Sequence, residues 1–107
     1  MTPLGNNDFK HINNIDKTIH EPTRLLIMAC LSAVTYADFL FLLKQTGLTR
    51  GNLSSHMSKL EAVGYVDVTK EFVEKIPRTL YKLTDRGKEA FQNYRQHLQS
   101  VLDSLAG

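Results

Sequence analysis

The sequence has little of what marks secreted or membrane proteins. It contains one cysteine, Cys30, among 107 residues, and a lone cysteine cannot form a disulfide within the chain. It has no apolar N-terminal run typical of a signal peptide, and no apolar stretch long enough to cross a bilayer. These absences favour a reducing compartment, so we expect a cytoplasmic protein that does not associate with membranes.

Signatures of catalysis and of metal binding are missing as well. The sequence has no P-loop, no dinucleotide-binding fingerprint and no evident pair of nucleophile and base. His11, His20 and His97 do not have the spacing of metal ligands on one helix. We therefore expect no enzymatic activity, no cofactor and no metal site. Zinc held by these histidines between two subunits stays open as a minor alternative.

The composition is that of one small globular domain spanning residues 1–107, with 42% apolar and 22% charged residues. The net charge is only +2, but it is unevenly distributed. Between Lys44 and Lys88 nine basic residues face five acidic ones, giving +4, whereas the rest of the chain has four basic and six acidic residues, giving −2. A local positive excess suits a surface that meets phosphates.

Helical periodicity and turn residues predict the order of elements in the first half of the chain. Residues 1–7 have loop composition and are expected to be mobile. Apolar residues at helical spacing predict a first helix over residues 8–20. Pro22 begins a second helix that is apolar on nearly all sides and belongs in the core. A short extended segment follows, and then a third helix that ends at Gly47.

The second half of the chain predicts a fourth helix, a hairpin and a long last helix. Thr49 caps the fourth helix and Gly64 ends it. Alternating apolar residues predict a hairpin over about residues 65–84, and the last helix covers residues 85–106. A helix-turn-helix followed by a two-stranded ribbon is a winged helix. The predicted fold class is mainly α with a β-hairpin wing, a winged helix-turn-helix with an added C-terminal dimerisation helix.

The fourth helix has two contrasting faces. One face is apolar and contains Leu53, Met57, Leu60 and Val63. His56 lies on the same side, and we expect it to be partly buried with its hydrogen bonds satisfied; a functional role is the alternative. The opposite face is small and hydroxylated, with polar residues at its edges: Gly51, Asn52, Ser54, Ser55, Ser58, Lys59 and Ala62. Small side chains allow close approach, and hydroxyls can meet phosphates or base edges. This pattern predicts a helix that lies in a DNA major groove, with an ordinary surface helix as the alternative.

Four segments resemble the small winged-helix transcriptional regulators related to MarR and ArsR: "IHEPTRL", "ADFLFLLKQTGLTRGNLSSHMSKLEAVGYV", "KIPRTLYKLTDRG" and "KEAFQNY". The resemblance implies that a homodimer binds specific sequences of duplex DNA. It also implies that a recognition helix at about 49–63 enters the major groove, and that a wing at about 65–84 follows the backbone. The ArsR branch often carries pairs of cysteine ligands; this chain has no such pair, so metal sensing is not expected.

The resemblance carries DNA contacts onto residues of the fourth helix and the wing, namely Thr49, Asn52, Ser54, Ser55, Ser58, Lys59, Arg78 and Thr79. Three basic residues in the same two elements complete the predicted DNA-binding set: Arg50, Lys70 and Lys75. The function expected is transcriptional regulation, with repression as its direction. A winged-helix module that binds protein, without specific DNA binding, is the alternative.

The last helix is longer than a winged helix needs, and its apolar stripe predicts a dimer seam. Its predicted members are Tyr94, Leu98, Val101, Leu102 and Leu105, which would meet Ile12, Ile15 and Ile19 of the partner's first helix. An exposed apolar stripe calls for a partner; packing within one chain is the alternative. Apolar space between these helices could hold a small-molecule effector, although no residue marks one.

Overall fold

The computed structural model describes residues 14–106. Its elements follow the predicted order from the second helix onward: α1 (Pro22–Ser32), β1 (Ala37–Asp38), α2 (Phe39–Thr46), α3 (Arg50–Ala62), β2 (Val66–Val73), β3 (Ile76–Leu83) and α4 (Asp85–Leu105). The strands form one antiparallel sheet in the order β1-β3-β2. The predicted winged-helix fold class is confirmed. No helix within residues 14–106 is long and apolar enough to span a bilayer.

The predicted first helix is wrong over its described part. Residues 14–21 form turns and bends, because the Asp16 carboxylate accepts hydrogen bonds from the backbone amides of Thr18, at 2.9 Å, and Ile19, at 3.2 Å. Such side-chain bonds offer the backbone an alternative to the helix. Residues 8–13, which include Ile12, lie outside the described residues, as do residues 1–7.

The turn at residues 14–21 is fastened to the domain. Ile19 is fully buried in the core, and the Tyr65 hydroxyl donates a hydrogen bond to the Asp16 carboxylate. Burial, together with the hydrogen bond and the negative charge of Asp16, raises the pKa of Tyr65 to about 12. This segment therefore supplies core contacts to its own chain.

Helix caps lie where the sequence predicts them, with one addition. Thr49 accepts a hydrogen bond from the Asn52 amide at 3.2 Å and caps α3. Gly47 ends α2 in the left-handed conformation, with φ of 69°. The sequence analysis did not identify Glu21, whose carboxylate caps α1 by accepting from the Arg24 amide at 2.7 Å. Because Gly47 ends α2 and Thr49 caps α3, the short turn between these two helices is fixed at both ends.

The core lies between α1, α3 and the base of the hairpin. It is formed by fully or almost fully buried side chains, including Ile27, Met28 and Leu31 of α1, Leu53, Met57 and Leu60 of α3, and Val66, Tyr81 and Leu83 of the sheet. Helix α1 packs against α2, α3 and β3, as its apolar composition predicts. Burial of this set removes the main apolar surface of α3 from solvent, and this determines which face of that helix points outward.

The wing is more regular than the sequence suggests. Strands β2 and β3 pair without interruption from Val66↔Leu83 to Val73↔Ile76. Glu74 and Lys75 alone make the turn, with φ values of 51° and 68°. Two positive φ values in a two-residue loop match the type I′ turn, whose twist suits a hairpin. The hairpin predicted over about residues 65–84 is therefore confirmed, with strands that continue up to its two-residue turn.

Helix α4 begins against the backbone of Tyr65. The Thr84 amide donates to the Tyr65 carbonyl at 3.0 Å, and a Cβ at Gly87 would lie 2.1 Å from the same oxygen. Only glycine allows this approach, which sets where α4 leaves the wing.

We predict that Gly87→Ala destabilises the protein while Gly51→Ala does not. The alanine at 87 must push α4 off Tyr65, at a cost of about 1–3 kcal/mol or more. A Cβ at Gly51 would meet no atom within 4 Å, so the better helix propensity of alanine should add up to about 1 kcal/mol. The free energies of unfolding from denaturant titration check both values, and equal effects at the two positions would contradict the steric argument.

Candidate nucleic-acid interface

Helix α3 presents the predicted small, hydroxylated face to solvent. The predicted contact residues on and before the helix are all exposed: Thr49, Arg50, Asn52, Ser54, Ser55, Ser58 and Lys59. On the opposite side Leu53 and Leu60 are fully buried and Met57 is 2% exposed. The exposed face carries short side chains, so a neighbouring surface can come close to the helix backbone.

A groove runs between α3 and the wing. Ser54 and Ser58 line it from the helix, and Lys70 and Thr79 line it from the paired strands. Lys70 and Thr79 are directly opposite in the ladder, so both side chains leave the same face of the hairpin. Glu61 also lines this groove and is the acidic residue among its lining side chains. The fold thus brings four predicted contact residues from separate segments to one concave surface.

A second groove lies at the start of α3. Arg50, Arg78 and Thr79 line it together with the first residues of α2. The Arg50 guanidinium lies 5.9 Å from the centre of the Phe39 ring, a distance at which the cation and the ring attract each other. This contact holds a positive charge beside the exposed face of α3.

Arg78 has a partner that the sequence analysis did not predict. Its Nη2 donates to Oδ2 of Asp38 at 3.1 Å, while Oδ1 of Asp38 accepts from the Phe41 amide at 2.7 Å. The carboxylate therefore caps α2 and ties it to β3 at once. The Arg78 side chain remains 37% exposed, which leaves other guanidinium donors facing solvent.

The remaining predicted contacts lie apart from the two grooves. Asn52, Ser55 and Lys59 are exposed on α3 without lining either groove, as is Thr49, the cap residue of this helix. Lys75 lies in the turn at the far end of the wing. The candidate interface is therefore a helix face with a wing extending from one side.

His56 connects α3 to the first turn of α1. Its Nδ1 accepts from Nη1 of Arg24 at 3.2 Å and lies 3.8 Å from Oε2 of Glu21. Burial opposes ionisation of Glu21, but backbone hydrogen bonds from Arg24 and Thr23 and the nearby positive charge of Arg24 lower its pKa. The prediction of a partly buried histidine with hydrogen-bonding partners is confirmed, and the contacts fix the orientation of α3.

Several of the predicted dimer residues are covered by their own chain. Ile19 and Tyr94 are 0% and 2% exposed within their own chain, and the Tyr94 hydroxyl lies 2.8 Å from Nδ1 of His20. Placing these two at a partner's surface was wrong, because their own core covers them. Ile15 and Leu98 are half-buried against the same core.

Among the predicted seam residues that lie within residues 14–106, those at the far end of α4 leave the most apolar surface exposed. Leu102 and Leu105 are 50% and 51% exposed, and Val101 beside them is 8% exposed. Of the dimer seam predicted from residue 94 onward, only the last turns of α4 therefore remain open to a partner.

An open cavity lies between the end of α1, the base of the hairpin and α4. Its lining includes Lys82, Lys88 and Arg95 together with Phe91 and Asp67. This cavity lies within one chain and most of its lining residues are polar or charged, unlike the apolar space between dimer helices suggested for an effector. Among residues 14–106, no three acidic, histidine or cysteine side chains cluster as metal ligands would.

Comparison with known proteins identifies the family. A family model described as a winged helix DNA-binding domain matches residues 23–102, a span that contains α3, the wing and nearly all of α4. The chain belongs to this winged helix DNA-binding domain family.

Relatives agree with this assignment. An uncharacterized protein of Methanocaldococcus jannaschii is 36% identical over 78 residues, covering 73% of this chain and 85% of the relative. A solved structure of a transcriptional regulator homologue from Pyrococcus horikoshii OT3 superposes with a TM-score of 0.83 at 34% identity, over 92% of this chain and 97% of that one. A structure described as a MarR-family regulator from Enterococcus faecalis V583 shares the fold, with a TM-score of 0.73 at 22% identity over 99% and 94% of the two chains.

We predict that two variants separate the structural role of Arg78 from a role in DNA contact. Arg78→Ala and Asp38→Asn both remove the ion pair and should each lower the unfolding free energy by less than about 1 kcal/mol, as exposed pairs do. Asparagine keeps the cap of α2, since it is as good at that position as aspartate. Denaturant titration checks these values.

On duplex DNA the two variants should differ. Arg78→Ala should weaken binding to all duplexes and reduce the salt dependence by about one charge, whereas Asp38→Asn frees the guanidinium and should not weaken binding. Equal losses of DNA affinity would mean that Arg78 only braces the fold.

Proposed function

We propose that this protein is a sequence-specific regulator of transcription that binds duplex DNA as a homodimer, with α3 in the major groove and the wing along the adjacent backbone. The observation that carries the proposal is the groove in which Ser54 and Ser58 of α3 meet Lys70 and Thr79 of the wing. Hydroxyls from a helix and a lysine from a strand converge there, as contacts to bases and to phosphates would require.

The dimensions and chemistry of α3 support its place in the major groove. A helix with its side chains is about 10–12 Å wide, and the major groove is about 12 Å wide. Glycine and serines make the exposed face of α3 narrower than average. Open space around Gly51 shows that no part of the described chain requires a glycine there, whereas a close approach of DNA backbone would explain it. The first amides of α3 can also meet a phosphate.

The wing supplies charge beside the helix. Lys70 lies in the groove, Lys75 occupies the turn, and Arg78 keeps part of its guanidinium exposed. Contacts of lysine and arginine to phosphates give affinity and register but little sequence information. The proposal therefore assigns recognition of sequence to α3, and affinity to the wing.

Exposed leucines at the end of α4 support the homodimer. Leu102 and Leu105, which are 50% and 51% exposed, leave an apolar surface on the last turns of a 21-residue helix. Pairing of two copies there would place two recognition helices about one DNA turn apart, roughly 34 Å. We extend the proposal to repression, which a DNA-bound dimer achieves by occupying the site that polymerase needs.

A protein-binding module is the second candidate, and the surface of α3 argues against it. Protein interfaces are enriched in aromatic residues, methionine and arginine. Met57 is buried, α3 contains no phenylalanine, tyrosine or tryptophan, and Arg50 in its first turn is the one exposed residue of these enriched types on the helix. Retention on duplex DNA that weakens with salt distinguishes the two functions, because phosphate contacts release counterions.

Selection of bound sites from random duplexes tests the proposal as a whole. A recurring motif with two inverted halves about 10 base pairs apart is expected from a two-fold dimer. Recovery of no motif together with no retention on any duplex at low salt would overturn DNA binding.

We predict that Ser58→Glu abolishes specific binding while Ser58→Gln weakens it less. Both substitutions add a similar volume at an exposed position, but only glutamate adds a charge that phosphates repel. The unfolding free energy should change by less than about 0.5 kcal/mol in each, as is usual for surface positions. Titration of the selected duplex by fluorescence anisotropy measures affinity. Unchanged affinity in Ser58→Glu, and likewise in Ser55→Glu, would remove α3 from the interface.

We predict that Leu102→Asp with Leu105→Asp converts the protein to monomers. Leu98 is left unchanged because it packs against the core of its own chain. Its substitution would destabilise the fold, and a change in mass could then not be assigned to the dimer seam. Gln92→Asp with Gln96→Asp is the matched control, since it places the same charges on the opposite, exposed face of α4. Light scattering reports the mass, and operator binding should drop far more than non-specific binding. A leucine variant that stays dimeric would place the seam elsewhere.

A further inference from the structure

The tip of the wing is apolar, and the proposed phosphate contacts do not account for this. Phe72 is 76% and Ile76 is 63% exposed, more than any other large apolar side chain within residues 14–106. Val73, beside them, is 39% exposed. A lysine-bearing loop would be sufficient to follow a phosphate backbone, so exposed phenylalanine and isoleucine at the tip indicate contact with an apolar surface.

The strand register places apolar side chains on both faces of the tip. Phe72 is opposite Pro77, and Val73 is opposite Ile76. Paired residues share a face and successive residues alternate, so one apolar pair faces each way. These four residues are called the wing-tip wedge. The two-residue turn immediately beyond them makes the wedge narrow and rigid.

One face of the wedge continues the proposed DNA surface. Along that face of the hairpin, the buried pair Val66 and Leu83 is followed by Val68 with Tyr81, then by Lys70 with Thr79, and finally by Phe72 with Pro77. Lys70 and Thr79 line the groove beside α3. A duplex seated on α3 and this groove therefore meets the wedge next along the same face.

We propose that the wing-tip wedge enters the minor groove beside the half-site read by α3, where Phe72 partly unstacks one base step and Ile76, on the opposite face of the hairpin, packs against the far wall of the groove. This inference rests on the proposed function and extends it to the shape of the DNA. Phenylalanine, isoleucine and proline are side chains that wedge between base steps and kink the duplex. Pyrimidine–purine steps unstack most easily, so the wedge gives the protein a preference for such a step at a position where it makes no hydrogen bond to a base.

Two other occupants fit the tip less well. Four side chains at the end of a ribbon cover far less than the roughly 1,000 Å² of a stable protein interface, which argues against a second copy. A lipid surface would meet the tip alone and would gain nothing from the rest of that face, whereas a duplex also meets Lys70 and Thr79, which precede Phe72 and Pro77 along it and line the groove beside α3. Lys70, on the same face as Phe72, is placed to meet the phosphates that border the minor groove.

The experiment compares the full chain with Phe72→Ala/Ile76→Ala on the duplex found by site selection. End-labelled duplexes report bending by energy transfer, and 2-aminopurine placed at successive steps beside the half-site reports unstacking by increased fluorescence. Phe72→Leu is the matched variant, since leucine keeps an apolar wedge. Leu26→Ala is the control for loss of an exposed apolar side chain elsewhere.

We expect the double alanine variant to bind the selected site about tenfold more weakly, comparable to one mismatched base pair. Bending and the 2-aminopurine signal should be lost, and non-specific binding should stay unchanged. Phe72→Leu and Leu26→Ala should behave as the parent does. A repeated selection with the double variant should no longer enrich a pyrimidine–purine step beside the half-site.

Three results would overturn the wedge. If the parent and the double variant bind the duplex, bend it and unstack its bases equally, the wing tip does not act as a wedge. If Ser58→Glu nevertheless loses DNA binding, the proposed function remains supported. If the parent leaves base stacking unchanged and the double alanine variant differs from it in mass by light scattering, the wing tip serves self-association. Absence of any duplex binding by the parent would remove the proposed function and the wedge together.

Discussion

Burial of the apolar side of α3 is the constraint on which the rest of this structure depends. Leu53, Met57 and Leu60 are almost completely removed from solvent against a core to which α1 and the sheet contribute. A helix with one face so fixed cannot rotate, so its serines must point outward. The Arg24 contact to His56 adds a polar restraint to the same helix. Insertion into a groove requires a rigid outward face of small residues. A mobile helix would have to be ordered on binding, and the entropy cost of that ordering would lower the affinity.

The wing depends on the same core at its base and on its own ladder at its tip. Val66, Tyr81 and Leu83 anchor the hairpin, and β1 pairs with β3 beside them. The Asp38 carboxylate joins β3 to the first turn of α2. Helix and wing are thus positioned relative to each other by packing, an ion pair and strand pairing. The proposed division between recognition by α3 and backbone contact by the wing needs that fixed geometry.

The N-terminal turns and α4 illustrate how one apolar pattern can serve two purposes. Ile19 and Tyr94 have the spacing of an interface stripe, yet both complete the core of their own chain. The end of α4 extends beyond that core, and there Leu102 and Leu105 stay exposed. Periodicity identifies the apolar side of a helix but not the surface that covers it. The hydrophobic effect is non-directional, so burial against the same chain or against a partner is equally favourable.

The sequence alone determined the winged-helix class, the order of elements from Pro22 onward, the caps at Thr49 and Gly47, and the exposed hydroxylated face of α3, because these depend on local periodicity and capping chemistry. It failed for residues 14–20, where the Asp16 side chain competes with helical hydrogen bonds, and for the pairing of Arg78 with Asp38, which are forty positions apart. Only the tertiary structure decided those contacts, the convergence of Ser54 and Ser58 with Lys70 and Thr79, and the apolar wing tip. Contacts between distant segments depend on how the chain packs in space, and no local pattern in the sequence records that packing.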